Sequence, residues 1–206
     1  PQCTHCAHLQ DTDGPEMKSM IALGLLTVTY RPVTFLDTEY GYSAKVANAM
    51  FLAAAHGTSA PALQAYVATL WGHQNPGGSA PSDGQLAGWA ADAGVSAEAV
   101  ATIQFGEHAV DTDEMTMTNE TRLQEIRDGD AGTPTVYDLT GNTVVDIQET
   151  GWLAKLTADI PPTEILIVGD HAPPLWSKAG RELFIPGKVT WIRLSPRTDS
   201  QTGRAH

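Results

Sequence analysis

The chain has 206 residues, of which 42% are hydrophobic and 17% are charged, a composition typical of a globular domain large enough to bury its own core. Its 24 acidic and 12 basic residues give a formal net charge of −12, so we expect no nucleic-acid partner, because phosphates and this surface are both anionic. The sequence contains no run of about 20 apolar residues, the length needed to cross a bilayer.

The N-terminal stretch is predicted to form an interrupted helix and then a strand. Helical periodicity runs from Cys3 to about Met20 and is interrupted near Pro15, since proline disrupts a helix interior. Residues 25–31 alternate in polarity and are rich in β-branched side chains, which predicts a strand that ends at Pro32.

A long central stretch is predicted to be helical. We expect Ser43 to cap its first helix, Pro61 to lie in the first turn of the second, and a capping box that starts at Ser82 to open the third. A short fourth helix follows, and a weaker pattern over residues 120–128 predicts a fifth. The acidic residues around position 111 are expected on the solvated surface.

Strand periodicity returns after this helical stretch. Residues 135–137 and 143–147 flank a Gly-Asn pair, which predicts a β-hairpin. A last helix is expected from about Thr150, ended by the two prolines at positions 161 and 162.

The C-terminal stretch differs in charge from the rest of the chain. Residues 161–206 carry four acidic and six basic residues, whereas residues 1–160 carry 20 acidic and six basic ones. Six of the thirteen prolines also lie in this stretch, so we treat it as a separate segment. Within it, residues 164–168 and 188–194 have the composition of strands.

The only two cysteines, Cys3 and Cys6, lie three residues apart at the start of the first predicted helix. Three residues turn an α-helix through about 300°, so the two sulfurs share one face. A disulfide between them closes a very short loop and stabilises the fold little, which favours redox exchange over a structural role. The N-terminal turn of the helix favours the thiolate of Cys3, and a protonated His5 adds a second favourable charge. Cys6 is then the resolving thiol.

A metal site is the alternative interpretation of this stretch. Four possible ligands occur within six residues, namely Cys3, His5, Cys6 and His8. On a helix, His5 lies about 200° around the axis from Cys3, so the four side chains cannot converge on one ion unless the helix unwinds. We therefore expect redox chemistry, with no metal and no other cofactor.

Pro134 opens the predicted hairpin, within the stretch Gly132-Thr133-Pro134-Thr135. A proline suits the start of a strand, where its missing N–H removes no ladder hydrogen bond. Position alone indicates an ordinary trans peptide bond, because only about 5–6% of X–Pro bonds are cis.

Taken together, these motifs resemble the DsbA-like thiol–disulfide oxidoreductases, which are thioredoxin-fold proteins with an inserted helical subdomain. The resemblance covers about residues 1–160 and depends on four stretches that occur in the family's order. They are Cys3-Thr4-His5-Cys6, Tyr30-Arg31-Pro32-Val33, Tyr42 to Ala49, and Gly132 to Thr135.

The resemblance implies an α/β, thioredoxin-like fold in four parts. Residues 1–39 would carry the active-site helix and the following strand, and residues 129–160 the proline loop, the hairpin and the last helix. Residues 40–128 would be an inserted all-helical subdomain that shapes a substrate groove, and residues 161–206 a C-terminal extension. The family's central strand precedes the cysteine motif; we expect it upstream of Pro1, the alternative being a strand supplied by the C-terminal segment.

For the site, the resemblance implies that Cys3 is the exposed nucleophile, that Cys6 is its buried partner and that His5 tunes the redox potential. Thr4, Thr133 and Pro134 would contact the substrate. Pro134 would have a cis peptide bond and face the cysteine pair.

For function, the resemblance implies a dithiol oxidase, bacterial in type, that acts outside the cytoplasm, in the periplasm or cell envelope or on secreted proteins. Its partners would be reduced, cysteine-containing client proteins and a membrane or soluble redox protein that recycles it, and we expect a monomer. A reductase or isomerase is an open variant, because the dipeptide between the cysteines is Thr-His where the family's oxidases most often have Pro-His. A non-catalytic binding module is the alternative of another class, either a chaperone or assembly factor or a Cys/His metal carrier.

Overall fold

One mixed β-sheet and eight helices are formed by the part of the chain that the computed structural model describes, residues 1–37, 41–129, 132–158, 163–169, 190–194 and 201–204. The helices are α1 (Thr4–Thr12), α2 (Gly14–Leu23), α3 (Tyr42–Ala55), α4 (Ala60–Gly72), α5 (Asp83–Ala93), α6 (Ala97–Gln104), α7 (Thr112–Ile126) and α8 (Trp152–Ala158). The strands are β1 (Leu26–Pro32), β2 (Thr135–Asp138), β3 (Thr143–Val144), β4 (Thr163–Gly169), β5 (Thr190–Leu194) and β6 (Gln201–Arg204).

The strand order is β3-β2-β4-β1-β5-β6, with β4 parallel to β1 and every other neighbouring pair antiparallel. Tyr30 of β1 lies opposite Ile167 of β4, and Ile167 in turn lies opposite Val136 of β2. This register places β4 between the strand that follows the cysteine helix and the strand that follows Pro134.

In the described sheet, β4 of the C-terminal segment lies between β1 and β2, the place that the alternative interpretation gave to a strand from this segment. The physical reason is the run from Ile165 to Val168, which is buried on both faces of the sheet. A strand that is apolar on both faces loses contact with water only when it has neighbours on both sides and layers above and below.

Helices cover the sheet on both faces. On the first face, side chains of α1 to α6 and of α8 share one core cluster with strand residues, which are Val28, Tyr30, Val136, Ile165, Ile167, Ile192 and Leu194. On the second face, Leu123 of α7 belongs to a smaller cluster with Leu166 and Val168 of β4. Both cysteines lie in the larger cluster, between α1 and the first face.

Several predicted helices are confirmed together with their caps. The predicted interruption near Pro15 is the junction of α1 and α2 at Asp13. The Ser82 capping box is present, with the hydroxyl of Ser82 accepting from the Gln85 N–H and the Gln85 side chain accepting from the Ser82 N–H. Pro61 lies in the first turn of α4, as expected.

The cap of α3 differs from the prediction. The N-cap position is Gly41, whose φ of +56° is a conformation that glycine adopts without a side-chain clash. The carboxylate of Asp37 accepts hydrogen bonds from the N–H groups of Ser43 and Ala44, the latter at 2.7 Å. Ser43 is buried instead, and its hydroxyl donates to the side chain of Gln2 at 3.3 Å. The prediction that Ser43 caps this helix is therefore wrong.

Helix α7 is longer than its sequence pattern indicated. It begins after Asp111, whose carboxylate accepts from the N–H groups of Asp113 and Glu114. Its first half is polar, and buried polar residues such as Asn119 take positions that an apolar periodicity would have marked. The acidic residues around position 111 therefore define a helix start as well as a surface.

The C-terminal predictions are confirmed in part. The predicted hairpin is present as β2 and β3, although β3 is only two residues long, and β5 pairs with β6 at the edge of the sheet. The expected end of the last helix at positions 161 and 162 lies outside the described residues.

We expect Asp37→Ala to lower the free energy of unfolding by about 1 kcal/mol, the usual effect of removing a side-chain cap from a helix N-terminus. Denaturant unfolding followed by circular dichroism measures this loss. Asp92→Ala is the control, because Asp92 is an exposed aspartate within α5 and should leave stability unchanged or slightly higher. An equal loss in both variants would contradict the capping role of Asp37.

Glu120 of α7 provides a test of pH dependence. Its side chain is largely buried, one carboxylate oxygen has no hydrogen-bond partner, and burial raises its pKa. A raised pKa in the folded state means that the contribution of Glu120 to stability is full below its unfolded pKa and is lost as the pH rises through the folded value. Glu120→Gln should therefore gain stability relative to the unsubstituted protein between acidic and neutral pH, in unfolding measured across that range. Glu107→Gln is the control for the loss of a carboxylate at an exposed position.

Candidate functional site

Cys3 is the N-cap residue of α1, so its sulfur lies at the N-terminal end of the helix. The sulfur accepts a hydrogen bond from the backbone N–H of Cys6 at 3.3 Å. Neither cysteine forms a disulfide, and both are buried, with 5% and 4% of their surfaces exposed. The expectation of a buried Cys6 is confirmed. The expectation of an exposed Cys3 is wrong, because the loop that carries Thr133 packs against the Cys3 sulfur.

The loop before β2 contacts the Cys3 sulfur from the other side of the site. The sulfur lies 3.6 Å from both the carbonyl oxygen and the hydroxyl oxygen of Thr133, a residue 130 positions later in the chain. As a thiol, Cys3 donates to the Thr133 carbonyl, and the Thr133 hydroxyl donates to the sulfur. The Thr133–Pro134 peptide bond is cis, as the resemblance implied. The structure therefore brings Cys3, Cys6, Thr133 and Pro134 together.

The other two predicted site residues point outward. Thr4 and His5 occupy the exposed side of the first turn of α1. His5 lines an open groove together with His8, the Thr133–Val136 stretch and residues 144–152. His5 is thus placed to meet a molecule in the groove, while Thr4 is exposed outside it.

The groove contains one half-buried carboxylate, Asp13 at the junction of α1 and α2. Burial raises the pKa of Asp13, although the nearby Trp152 and His8 side chains both act in the opposite direction. The groove therefore places a histidine beside a half-buried carboxylate.

The helical stretch between β1 and β2 forms the back wall of the site. Just after α4, the side-chain amide of Gln74 donates to the carbonyl oxygens of Cys3, at 3.2 Å, and of Trp71, at 3.3 Å. The next residue back, His73, stacks on Trp89 of α5 with ring centroids 4.2 Å apart. The backbone that carries the Cys3 sulfur is therefore held by this helical stretch as well as by α1.

The floor beneath Cys6 consists of residues that sequence reasoning missed. Cys6, Gln10, Tyr30 and Trp71 border one small pocket, which Ile167 of β4 also lines. Gln10 could have been found from the sequence, because it follows Cys6 by four residues and so is a polar side chain on the apolar face of α1. Gln64 and Gln74, which come from distant helical positions, carried no such signal.

No group of three or more His, Cys, Asp or Glu side chains is arranged to hold a metal ion in the described ranges of the chain. Within those same residues, no helix has both the length and the apolar character needed to cross a membrane.

No family model, curated protein or solved structure matches this chain. What the site can do chemically therefore follows from its own residues. They are two thiols one helical turn apart, one of them at a helix N-terminus beside a hydroxyl donor and a backbone carbonyl. Such an arrangement supports the formation and exchange of disulfides more directly than acid–base or metal chemistry.

We expect Thr133→Val to raise the pKa of Cys3 by roughly 1 to 2 units, because a hydrogen bond to a charged group such as the thiolate is worth about 1.5–3 kcal/mol and one pKa unit corresponds to about 1.4 kcal/mol. Thiolate absorbance near 240 nm, recorded against pH in a Cys6→Ser background, measures the change on Cys3 alone. Thr135→Val is the matched control, since its buried hydroxyl donates to the carbonyl of Gly132 and not to sulfur. A similar shift in both variants would show that the Thr133 hydroxyl does not stabilise the thiolate.

Proposed function

We propose that this protein is a thiol–disulfide oxidoreductase that exchanges a Cys3–Cys6 disulfide with cysteines of client proteins, as a dithiol oxidase. The observation that carries the proposal is the position of the Cys3 sulfur, at the N-terminus of α1 and 3.6 Å from the backbone carbonyl and the hydroxyl of Thr133. A structural cross-link has no need of this second contact, whereas an exchanging sulfur needs groups that stabilise its thiolate and align an incoming chain.

Three groups favour the thiolate of Cys3 over its thiol. The N-terminal turn of α1 directs its dipole at the sulfur, the N–H of Cys6 donates to it at 3.3 Å, and the Thr133 hydroxyl donates to it at 3.6 Å. A stabilised thiolate makes Cys3 a good leaving group, and it stabilises the reduced form, so the disulfide becomes more oxidising.

In the oxidase direction, a client thiolate attacks the Cys3 sulfur of the Cys3–Cys6 disulfide. The bond between Cys3 and Cys6 breaks, and Cys6 leaves as a thiolate that takes up a proton. A second client thiolate then attacks the client sulfur of the mixed disulfide, and Cys3 leaves as a thiolate. Two client thiols are thereby oxidised to one disulfide and the protein's disulfide is reduced to two thiols, so a redox partner must accept two electrons to restore it.

The finer fold assignment belongs to the same proposal. We infer a thioredoxin-like arrangement in which β1, β4, β2 and β3 form the sheet, α1 carries the thiols, and β4 takes the central place that a strand before the motif has in the DsbA-like family. The helical stretch from α3 to α7 would be the inserted subdomain. Parallel pairing of β1 with β4 and antiparallel pairing of β4 with β2 support this assignment.

Clients would bind across the face formed by Thr4, His5 and the Thr133–Pro134 loop. The backbone of Thr133 would pair with an extended client segment, a form of strand addition. We also propose that the protein is a monomer that acts outside the cytoplasm, where disulfides persist. Its substrates would be reduced client proteins, and a membrane or soluble redox protein would recycle it.

The equilibrium of the Cys3–Cys6 pair with glutathione tests this proposal. We expect measurable exchange and a reduction potential near about −120 mV, the value of a strong dithiol oxidant; a potential near about −270 mV would be that of a reductant. Cys3→Ser should abolish exchange with clients, whereas Cys6→Ser should trap a mixed disulfide on Cys3.

The outcomes separate the alternatives. A potential near that of a reductant would keep the exchange chemistry and overturn the oxidase assignment. Stoichiometric metal binding by Cys3 and Cys6 without exchange would mean that the protein is a binding module instead of an enzyme.

A further inference from the structure

Asp13 occupies a helix-capping position without capping the helix. It is the N-cap residue of α2, where an aspartate usually accepts a hydrogen bond from the N–H of the second or third helical residue. The second residue of α2 is Pro15, which has no N–H, and the Asp13 carboxylate makes no capping hydrogen bond. Helix capping therefore does not account for the carboxylate at this position.

The side chain of Asp13 lies on the side of the open groove. Asp13 lines this groove together with His5 and Thr133, two residues of the proposed exchange site. Its carboxylate is close to the side chains of Trp152 and His8, which also line the groove. Because Asp13 is half-buried, its carboxylate is partly withdrawn from water while the groove beside it stays open to a bound molecule.

The charges along the groove favour a cationic ligand. Among the described residues that line it, three carry a carboxylate and one a guanidinium; they are Asp13, Asp146, Glu149 and Arg127. The titratable residues that remain are two exposed histidines, His5 and His8. Asp146 and Glu149 are exposed, and Glu149 is paired with Lys155. Asp13 is thus the carboxylate best shielded from water, where salt screens an ion pair less than it does at the surface.

We propose that Asp13 is a specificity-determining residue for the exchange reaction and pairs with a lysine or arginine of the client segment in the groove. This inference rests on the proposed function and names a class of substrate for it, client cysteines with a basic residue at a set distance along the chain. The carboxylate takes no part in the sulfur chemistry; it aligns the client while a client thiolate attacks Cys3.

The length of α1 sets the distance between the client's cysteine and its basic residue. Asp13 follows Cys3 by ten residues, and α1 occupies Thr4–Thr12 between them. At about 1.5 Å per residue, the helix separates the two positions by about 15 Å. An extended client rises about 3.3 Å per residue, so it covers this distance in about four or five residues. We expect the basic residue on one side of the cysteine only, because only one chain direction leads from Cys3 towards Asp13.

Exchange rates with short peptides test the proposal. Each peptide has one reduced cysteine and carries Arg, Gln or Glu about four residues before or after it. The second-order rate constant for reduction of the Cys3–Cys6 disulfide is measured for each peptide by acid quenching and thiol labelling. We expect the Arg peptide to react about fivefold faster than the Gln peptide, the factor that corresponds to an ion pair of about 1 kcal/mol. The Glu peptide should be the slowest.

Asp13→Asn should remove most of this preference, because asparagine has nearly the same shape and no charge. Asp11→Asn is the matched control: Asp11 is exposed on the same helix, lines a different groove bordered by α4, and its loss changes the net charge equally. The control should keep the preference for Arg. Equal rates for all three peptides with the unsubstituted protein would overturn the proposal, as would an equal effect of the two variants.

Binding of peptides with serine in place of cysteine separates this inference from the exchange chemistry. Fluorescence anisotropy of a labelled peptide measures this binding without any reaction at sulfur. Tighter binding of the Arg peptide that is lost in Asp13→Asn would support the role of Asp13 even if glutathione exchange failed. Exchange with glutathione without a preference for Arg in either assay would leave the proposed function intact and show that this inference is wrong.

Discussion

Strand β4 is the element on which the site depends, because it pairs with β1 on one side and β2 on the other. β1 follows the helices that carry Cys3 and Cys6, and β2 follows the loop that carries Thr133 and Pro134. Without a strand between them, these two parts would have no common support, and the 3.6 Å contact between the Cys3 sulfur and Thr133 could not be maintained. The geometry of the thiols is thus a consequence of sheet pairing as much as of the local motif.

Local patterns predicted the elements well and long-range placement poorly. Alternation predicted β1, and a capping box fixed the start of α5, because both signals lie within a few residues of the structure that they specify. The cap of α3 was missed because Asp37 acts from outside the helix, six and seven residues before the N–H groups from which it accepts. The strand character of residues 164–168 was also evident, but its place in the sheet depends on partners more than 25 residues away, which periodicity does not identify.

The candidate site shows the same division. The cysteine pair and Pro134 could be identified from the sequence, since each is a chemically distinctive residue in a short motif. The residues around Cys6 could not be identified in this way. Gln10, Tyr30 and Gln64 come from a helix, a strand and a second helix, and only the packing of these elements joins the three side chains by hydrogen bonds. Together with Gln74, which holds the Cys3 carbonyl, they make the helical stretch between β1 and β2 part of the site's interior as well as its cover.

The position of β4 also has a consequence for how the protein is made. Ribosomes deliver a chain from its N-terminus, so Cys3 and Cys6 emerge long before residues 163–169. Until β4 arrives, β1 and β2 lack their shared neighbour, and the most sequence-distant contacts of the sheet are the last that can form. During synthesis the two thiols are therefore carried by an incomplete fold, whereas in the finished protein both are buried.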